Sequence, residues 1–159
     1  MTPARASRLR RRRGWSVVIP PDRQELICHH DLAPWNLIIG AERWAFIDWD
    51  GAGRGSRLWD LAYAVTGFVP MEPGGDPTAD GLRLRALADG YRPSAAQRAE
   101  LPPLMAAHTR GMFDLLRRSA GTGEQPWARL YAEGHADYWG PAAEYISRHL
   151  DIWTRALHC

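Results

Sequence analysis

The stretch His29-His30-Asp31-Leu32-Ala33-Pro34-Trp35-Asn36 sets a carboxylate and an amide on either side of a proline, and Asp48 and Asp50 follow a short way along the chain. These residue types suit phosphoryl transfer to a hydroxyl. That reaction needs a carboxylate to orient and deprotonate the attacking group, hard oxygen ligands for Mg²⁺, and a rigid frame. Pro34 keeps the turn around Asp31 out of an ordinary helix, which would let the carboxylate meet an acceptor. Asn36 offers an amide oxygen and Asp48 a charged one, and Mg²⁺ is commonly held by one or two carboxylates together with phosphate oxygens and water. Asp50 reads either as a second metal-facing group or as a plain loop residue. Two other readings compete. Asp31 and Asn36 are also the residue types that cap turns. His30-Asp31 is the kind of pair found in metal-dependent phosphohydrolases, but such a pair sits on a helix and needs further His and Asp ligands from other helices. Here the pair precedes a proline, and His108, His135, His149 and His158 show no matching pattern; each reads as surface or as satisfied core.

Short strands must position these groups. Glu25 to Cys28 is a brief apolar approach to the His-His-Asp turn. Leu37-Ile38-Ile39 reads as a strand, Gly40-Ala41-Glu42-Arg43 as a turn and Trp44-Ala45-Phe46-Ile47 as a second strand. Antiparallel pairing of this hairpin brings Asp31 and Asn36, before it, close to Asp48 and Asp50, after it. Gly51, Gly53 and Gly55 form a loop, and Leu58 to Phe68 follows as a helix. Pro70 to Pro77 is again a loop. Helical patterns then cover about 78–91, 94–118 and 125–157, with breaks expected at Pro102-Pro103 and Gly140-Pro141. Trp127, Tyr131, Tyr138, Trp139, Tyr145 and Trp153 recur at helical spacing and read as core. The fold class is α+β and predominantly helical.

The chain has 159 residues, 45% of them hydrophobic, enough for one globular core. No apolar run reaches the ~20 residues that span a bilayer, and the basic N-terminus is not followed by a signal-type apolar stretch. Cytoplasmic residence is therefore the expectation. Cys28 and Cys159 are too few for a disulfide framework, and Cys28 reads as a small buried residue. The net charge is only +2, yet Arg8 and Arg10 to Arg13 cluster near the start, and all twenty Lys+Arg residues are arginine. No aromatic interleaving or nucleic-acid motif accompanies that cluster, so residues 1–24 read as a disordered Arg-rich tail and linker rather than a nucleic-acid arm. Residues 25–159 form the domain, divided into 25–56 with the catalytic loop and metal-binding hairpin and 57–159 with the helices.

The pattern His29-x-Asp31-x-x-x-x-Asn36, an apolar hairpin, then Ile47-Asp48-Trp49-Asp50, resembles the catalytic core of the aminoglycoside phosphotransferase and choline kinase family, which shares the protein kinase-like fold. Ala33-Pro34-Trp35-Asn36 together with Arg57-Leu58-Trp59-Asp60-Leu61-Ala62-Tyr63 further resembles its bacterial "phosphotransferase" or trifolitoxin immunity branch. The resemblance spans about residues 26 to 70. It implies that Asp31 is the catalytic base, that Asn36 and Asp48 ligate Mg²⁺, that Asp60 braces the catalytic loop, and that His29 packs beneath it. His30 stands where the family commonly has a small or polar residue, which suggests a contact on the substrate side. The implied reaction moves the γ-phosphate of ATP or GTP to a hydroxyl of a small molecule. Glu72, Asp76, Asp80 and Asp137 are acidic enough to receive a cationic acceptor but read as solvated surface.

The resemblance also sets an expectation about what accompanies this core. A kinase-like enzyme carries an N-terminal lobe with a Gly-rich phosphate cover and a lysine that pairs with the phosphates. Some 25 residues precede the catalytic loop here, and there is no lysine. Arginine is not a simple substitute, because its charge is spread over a planar fork. The expectation is thus the C-terminal lobe of the fold with the N-terminal lobe missing, in a truncated form. The alternatives are a non-catalytic small-ligand-binding or immunity-type module, or a lobe supplied by another chain. A lobe face left bare in this way would favour self-association.

Overall fold

The computed structural model describes residues 17–158, so the Arg-rich cluster at Arg8 to Arg13 lies outside the described residues. Leu26 to Gly55 forms two antiparallel ribbons, one nested inside the other. The outer ribbon pairs β1 (Leu26–Cys28) with β4 (Gly53–Gly55), and the inner one pairs β2 (Leu37–Ile39) with β3 (Trp44–Phe46). The loop from β1 to β2 and the loop from β3 to β4 therefore meet at one seam. A further bond from the Ile47 N–H to the Asn36 carbonyl at 2.9 Å closes that seam. Gly55 is needed on the outer ribbon, because a Cβ there would stand 3.0 Å from Cys28 Sγ and 3.1 Å from the His30 ring.

Six helices follow: α1 (Arg57–Phe68), α2 (Pro77–Tyr91), α3 (Ala95–Thr122), α4 (Trp127–Ala132), α5 (Ala136–Arg148) and α6 (Leu150–His158). The described chain is thus α+β, mostly helical with small antiparallel strand pairs. The Ser56 hydroxyl caps α1 by accepting from the Trp59 N–H at 3.0 Å. The apolar face of α1 then packs Leu58, Leu61, Ala62 and Val65 against Leu84, Met105 and Ile146 of the surrounding helices. Each such aliphatic side chain contributes about 1.5–3 kcal/mol on leaving water. This core fixes α1 as a platform, and the outer ribbon rests on its N-terminal end through β1.

Two helix breaks fall elsewhere than the prolines suggest. α3 runs through Pro102 and Pro103. The carbonyls that lose their donors belong to Arg98, which is half-buried, and Ala99, which is exposed, so water can serve them while α3 packs on α1, α4, α5 and α6. A capping box between Ser94 and Gln97 starts this helix, and Gly123, at φ 75°, ends it. The stretch from 125 to 157 breaks at Gly134 and at His149 instead of Gly140-Pro141, which lies inside α5. There Gly140 lets α5 approach α3, since a Cβ would come within 2.8 Å of the Phe113 ring. Residues 17–24, expected as linker, make contacts of their own. Ile19 packs with Trp59 and Leu115, and the Ser56 hydroxyl donates to Asp22 at 2.7 Å. No helix among the described residues is long and apolar enough to cross a membrane.

Candidate active site

Asp60 organises the seam from the first turn of α1. Its two carboxylate oxygens accept the backbone N–H groups of His29 and His30, each at 2.8 Å. Carboxylates suit this position at a helix N-terminus. The consequence is a loop whose first two residues are pinned to the helical platform. His30 accordingly sits in the left-handed region at φ 65°, a conformation that side chains rarely adopt and that surrounding bonds must hold in place. Its ring Nε2 donates to the Arg54 carbonyl at 3.2 Å.

His29 ties the two loops together. Its Nδ1 accepts the Asp31 N–H at 3.2 Å and its Nε2 meets the Ile47 carbonyl at 2.8 Å. A carbonyl only accepts, so Nε2 carries the proton and the ring is neutral in that arrangement. The ring is buried and packs against Trp49 at 4.6 Å between centroids. His29 thus lies between the Asp31 loop and the Asp48 loop, setting their spacing.

The Asp31 carboxylate is held on both sides. Asn36 Nδ2 donates to Oδ2 at 2.8 Å and also to the Asp31 carbonyl at 2.9 Å, and the Tyr63 hydroxyl donates to Oδ1 at 2.5 Å. The open carboxylate expected from the turn alone is therefore an oriented one, with lone pairs still free on each oxygen. Tyr63 was not among the residues singled out from sequence. It stands one turn after Asp60 on α1, so the two share a face, and that spacing is the signal that could have found it. Burial, and then the bond to Asp31, push its phenol up from the ordinary tyrosine range, so it remains a donor.

Asp48 is the second described non-glycine residue of the seam in the left-handed region, at φ 60° and ψ 65°. It begins the turn Trp49–Gly51, while Pro34–Asn36 forms the matching 3₁₀ turn opposite. Both Nδ2 bonds of Asn36 go to Asp31, which leaves its amide oxygen as the group not so engaged. An amide oxygen and a carboxylate at one seam are the hard donor types that Mg²⁺ takes, so the donor set fits that ion with substrate phosphates completing it. Among the described residues no three His, Cys, Asp or Glu side chains gather into a metal-holding group. Cys28 is buried, and burial pushes its thiol up to about 12, which keeps it in the protonated form at neutral pH.

Asp31, Asp48 and Asp50 all line one cavity of about 1020 Å³. Its other walls come from α1, α3, α4 and α5, with Tyr63, His108, Trp127, Tyr138 and Trp139 among them. The aromatics read from sequence as core are therefore divided. Tyr145 and Trp153 are buried and Tyr131 is exposed, whereas Trp127, Tyr138 and Trp139 face this cavity because α4 and α5 break where they do. Glu72, Asp76, Asp80 and Asp137 stay out of it. Asp80 is no surface residue: it is 1% exposed and accepts from Tyr145 Oη and Arg83, both at 2.9 Å.

The seam thus carries an oriented carboxylate, Asp31, with the carboxylate of Asp48 and the amide of Asn36 on the loops beside it. The sequence model described as the phosphotransferase enzyme family matches residues 4–104, well over half of the chain, and the protein belongs to that family. The match includes the whole seam and α1 and ends within α3. No curated protein and no solved structure matches the chain.

Proposed function

We propose that this protein transfers the γ-phosphate of ATP or GTP to a hydroxyl of a small molecule, with Asp31 as the base. The observation that carries this reading is the fixed Asp31 carboxylate on the wall of a cavity that Asp48 also lines. Asp31 would accept the hydroxyl proton as the acceptor oxygen bonds to the γ-phosphorus. The bond from that phosphorus to the bridging oxygen breaks, and the nucleoside diphosphate leaves. Asn36 and Asp48 would hold Mg²⁺, which when bound offsets the negative charge of the phosphate oxygens. Asp60 and His29 keep the two loops in register, and His30 and Asp50 lie at the cavity for contact with substrate or metal. On this reading residues 25–158 correspond to the C-terminal lobe of a kinase-like fold, and the β2–β3 ribbon, which exposes Ile38 on one side and Ile39 with Trp44 on the other, is where a nucleotide-covering lobe or a second copy would meet it.

The test is γ-phosphate transfer from labelled MgATP to a panel of small alcohols, with Asp31→Asn alongside. Expected is label in an alcohol with the native chain, none with Asp31→Asn, and similar MgATP binding by both. Equal transfer by the variant overturns the assignment of the base. A second reading, a small-ligand-binding module without turnover, draws on the absence of any arginine from the cavity lining among the described residues. Alcohol binding with no MgATP binding would decide for it.

A further inference from the structure

The cavity walls differ in chemistry from one side to the other. Its carboxylates, Asp31, Asp48 and Asp50, all belong to the seam of the two ribbons. Away from the seam the lining is mostly apolar and aromatic, with Met112, Leu116, Trp127, Leu130, Tyr138 and Trp139, and its polar side chains are Thr66, His108 and His135. Most of that wall, and all of its α4 and α5 portion, lies beyond the residues that match the family. No arginine or glutamate among the described residues contributes to the lining, although both are frequent in the chain.

The deep polar group of that wall is His108 on α3. It is 2% exposed, packs on the rings of Trp59 and Tyr63, and its Nδ1 has no hydrogen-bond partner among the described residues. Burial drives its imidazole down to about 3, so it adds polarity to the wall but no positive charge. Tyr63 then joins the two sides of the cavity, bonded to Asp31 and stacked at 15° on Trp139 with centroids 6.3 Å apart.

Resting on the phosphotransferase reading of Asp31, we propose that the acceptor is a flat, largely apolar alcohol with no negative charge and at most one positive charge. Its hydroxyl meets Asp31, and its body lies along Trp139, Tyr138 and Trp127 of α4 and α5. An anionic acceptor would meet no guanidinium from the described residues and would face three carboxylates at the seam, and a polyamine would press several ammonium groups on aliphatic and indole surface. Burying an unpaired charge in such surroundings is strongly unfavourable. One cation is tolerable, because an aromatic face attracts it. The volume suits a small molecule rather than a polymer segment, being at the top of the usual ~300–1,000 Å³ range for such sites.

The full chain is tested by saturation-transfer NMR with four probes at equal concentration: tyrosol and tryptophol as flat alcohols, gluconate as an anion, and neamine as a polyamino sugar. Expected is saturation of the two aromatic alcohols only. Trp139→Ala and Tyr138→Ala should each weaken their binding by up to about tenfold, the loss of one aromatic contact. Using both variants guards against one that fails to fold, which a thermal melt reveals. Saturation of gluconate or neamine in preference to the alcohols overturns the proposal, and so does silence from all four probes or unchanged affinity in both folded variants. The catalytic reading fails separately: aromatic alcohols that bind without receiving label from MgATP remove the transferase and leave the acceptor-pocket chemistry standing.

Discussion

Replacing His108 with Phe should stabilise the protein, and more so in acid. At pH 7.5 the native imidazole is neutral, 2% exposed and without a partner at Nδ1 among the described residues. A buried polar atom without a partner costs about 1–3 kcal/mol, and a phenyl ring, with the cavity beside it to take the extra volume, removes that cost. The acid effect comes from linkage. Burial, and next the charge of His30, lower the folded imidazole from 6.5 to about 3. Between those values the unfolded chain binds a proton that the native chain refuses, so stability falls as pH falls through this window. The slope is at most about 1.36 kcal/mol per pH unit for one group. At pH 5 the native protein therefore loses about 2 kcal/mol through His108 alone, a large part of the ~5–15 kcal/mol that holds an ordinary domain together. His108→Phe does not pay this penalty. Urea unfolding followed by tryptophan fluorescence at pH 7.5, 6 and 5 measures the gap between variant and native protein, and titrations common to both cancel. A gap near 1 kcal/mol that widens by about 2 kcal/mol at pH 5 is expected. A gap that stays constant over that range refutes the buried, neutral imidazole.

Asp60→Ala should lower stability by about 2–4 kcal/mol, because two loop N–H groups lose their acceptors at once; urea melts measure it, and a loss under about 0.5 kcal/mol would mean that the loop stands without the brace. Tyr63→Phe removes one hydrogen bond to the Asp31 carboxylate and should cost about 1.5–3 kcal/mol, the range for bonds to charged groups, checked by the same melts. Gly140→Val should cost about 1–3 kcal/mol through overpacking on Phe113, and combining it with Phe113→Ala should leave less damage than the sum of the two. Cys28 should resist iodoacetamide in the folded protein at pH 8 and react on addition of urea, since its thiol is buried and held at about 12; mass spectrometry reads the adduct.

Much of this molecule is legible from local sequence. Leu37–Ile39 and Trp44–Phe46 are short apolar runs on either side of a four-residue turn, so the hairpin is a short-range property of its strand formers. The helix after it is marked by the apolar spacing from Leu58 to Phe68. The residue types at Asp31, Asn36 and Asp48 name a chemistry because magnesium and a phosphate-accepting hydroxyl ask for oxygen donors. Membership of the phosphotransferase enzyme family follows from the same stretch.

What sequence could not fix are features that depend on contacts between distant segments. The prolines at 102, 103 and 141 are strong breakers by themselves, yet α3 and α5 run through them, because packing on neighbouring helices outweighs the lost backbone bonds. The Asp31 carboxylate becomes an oriented group only when α1 brings Tyr63 to it from thirty-two positions away. His108 and the α4–α5 aromatics read as ordinary core, since helical spacing says that a face is buried but not against what. Sequence by itself thus determined which oxygen-bearing side chains stand at Asp31, Asn36 and Asp48, where the proposed chemistry starts, a matter of residue type and short-range order. Only tertiary structure decided how Asp31 is held and which wall it faces, because hydrogen-bond partners and cavities arise from burial among elements remote in the chain.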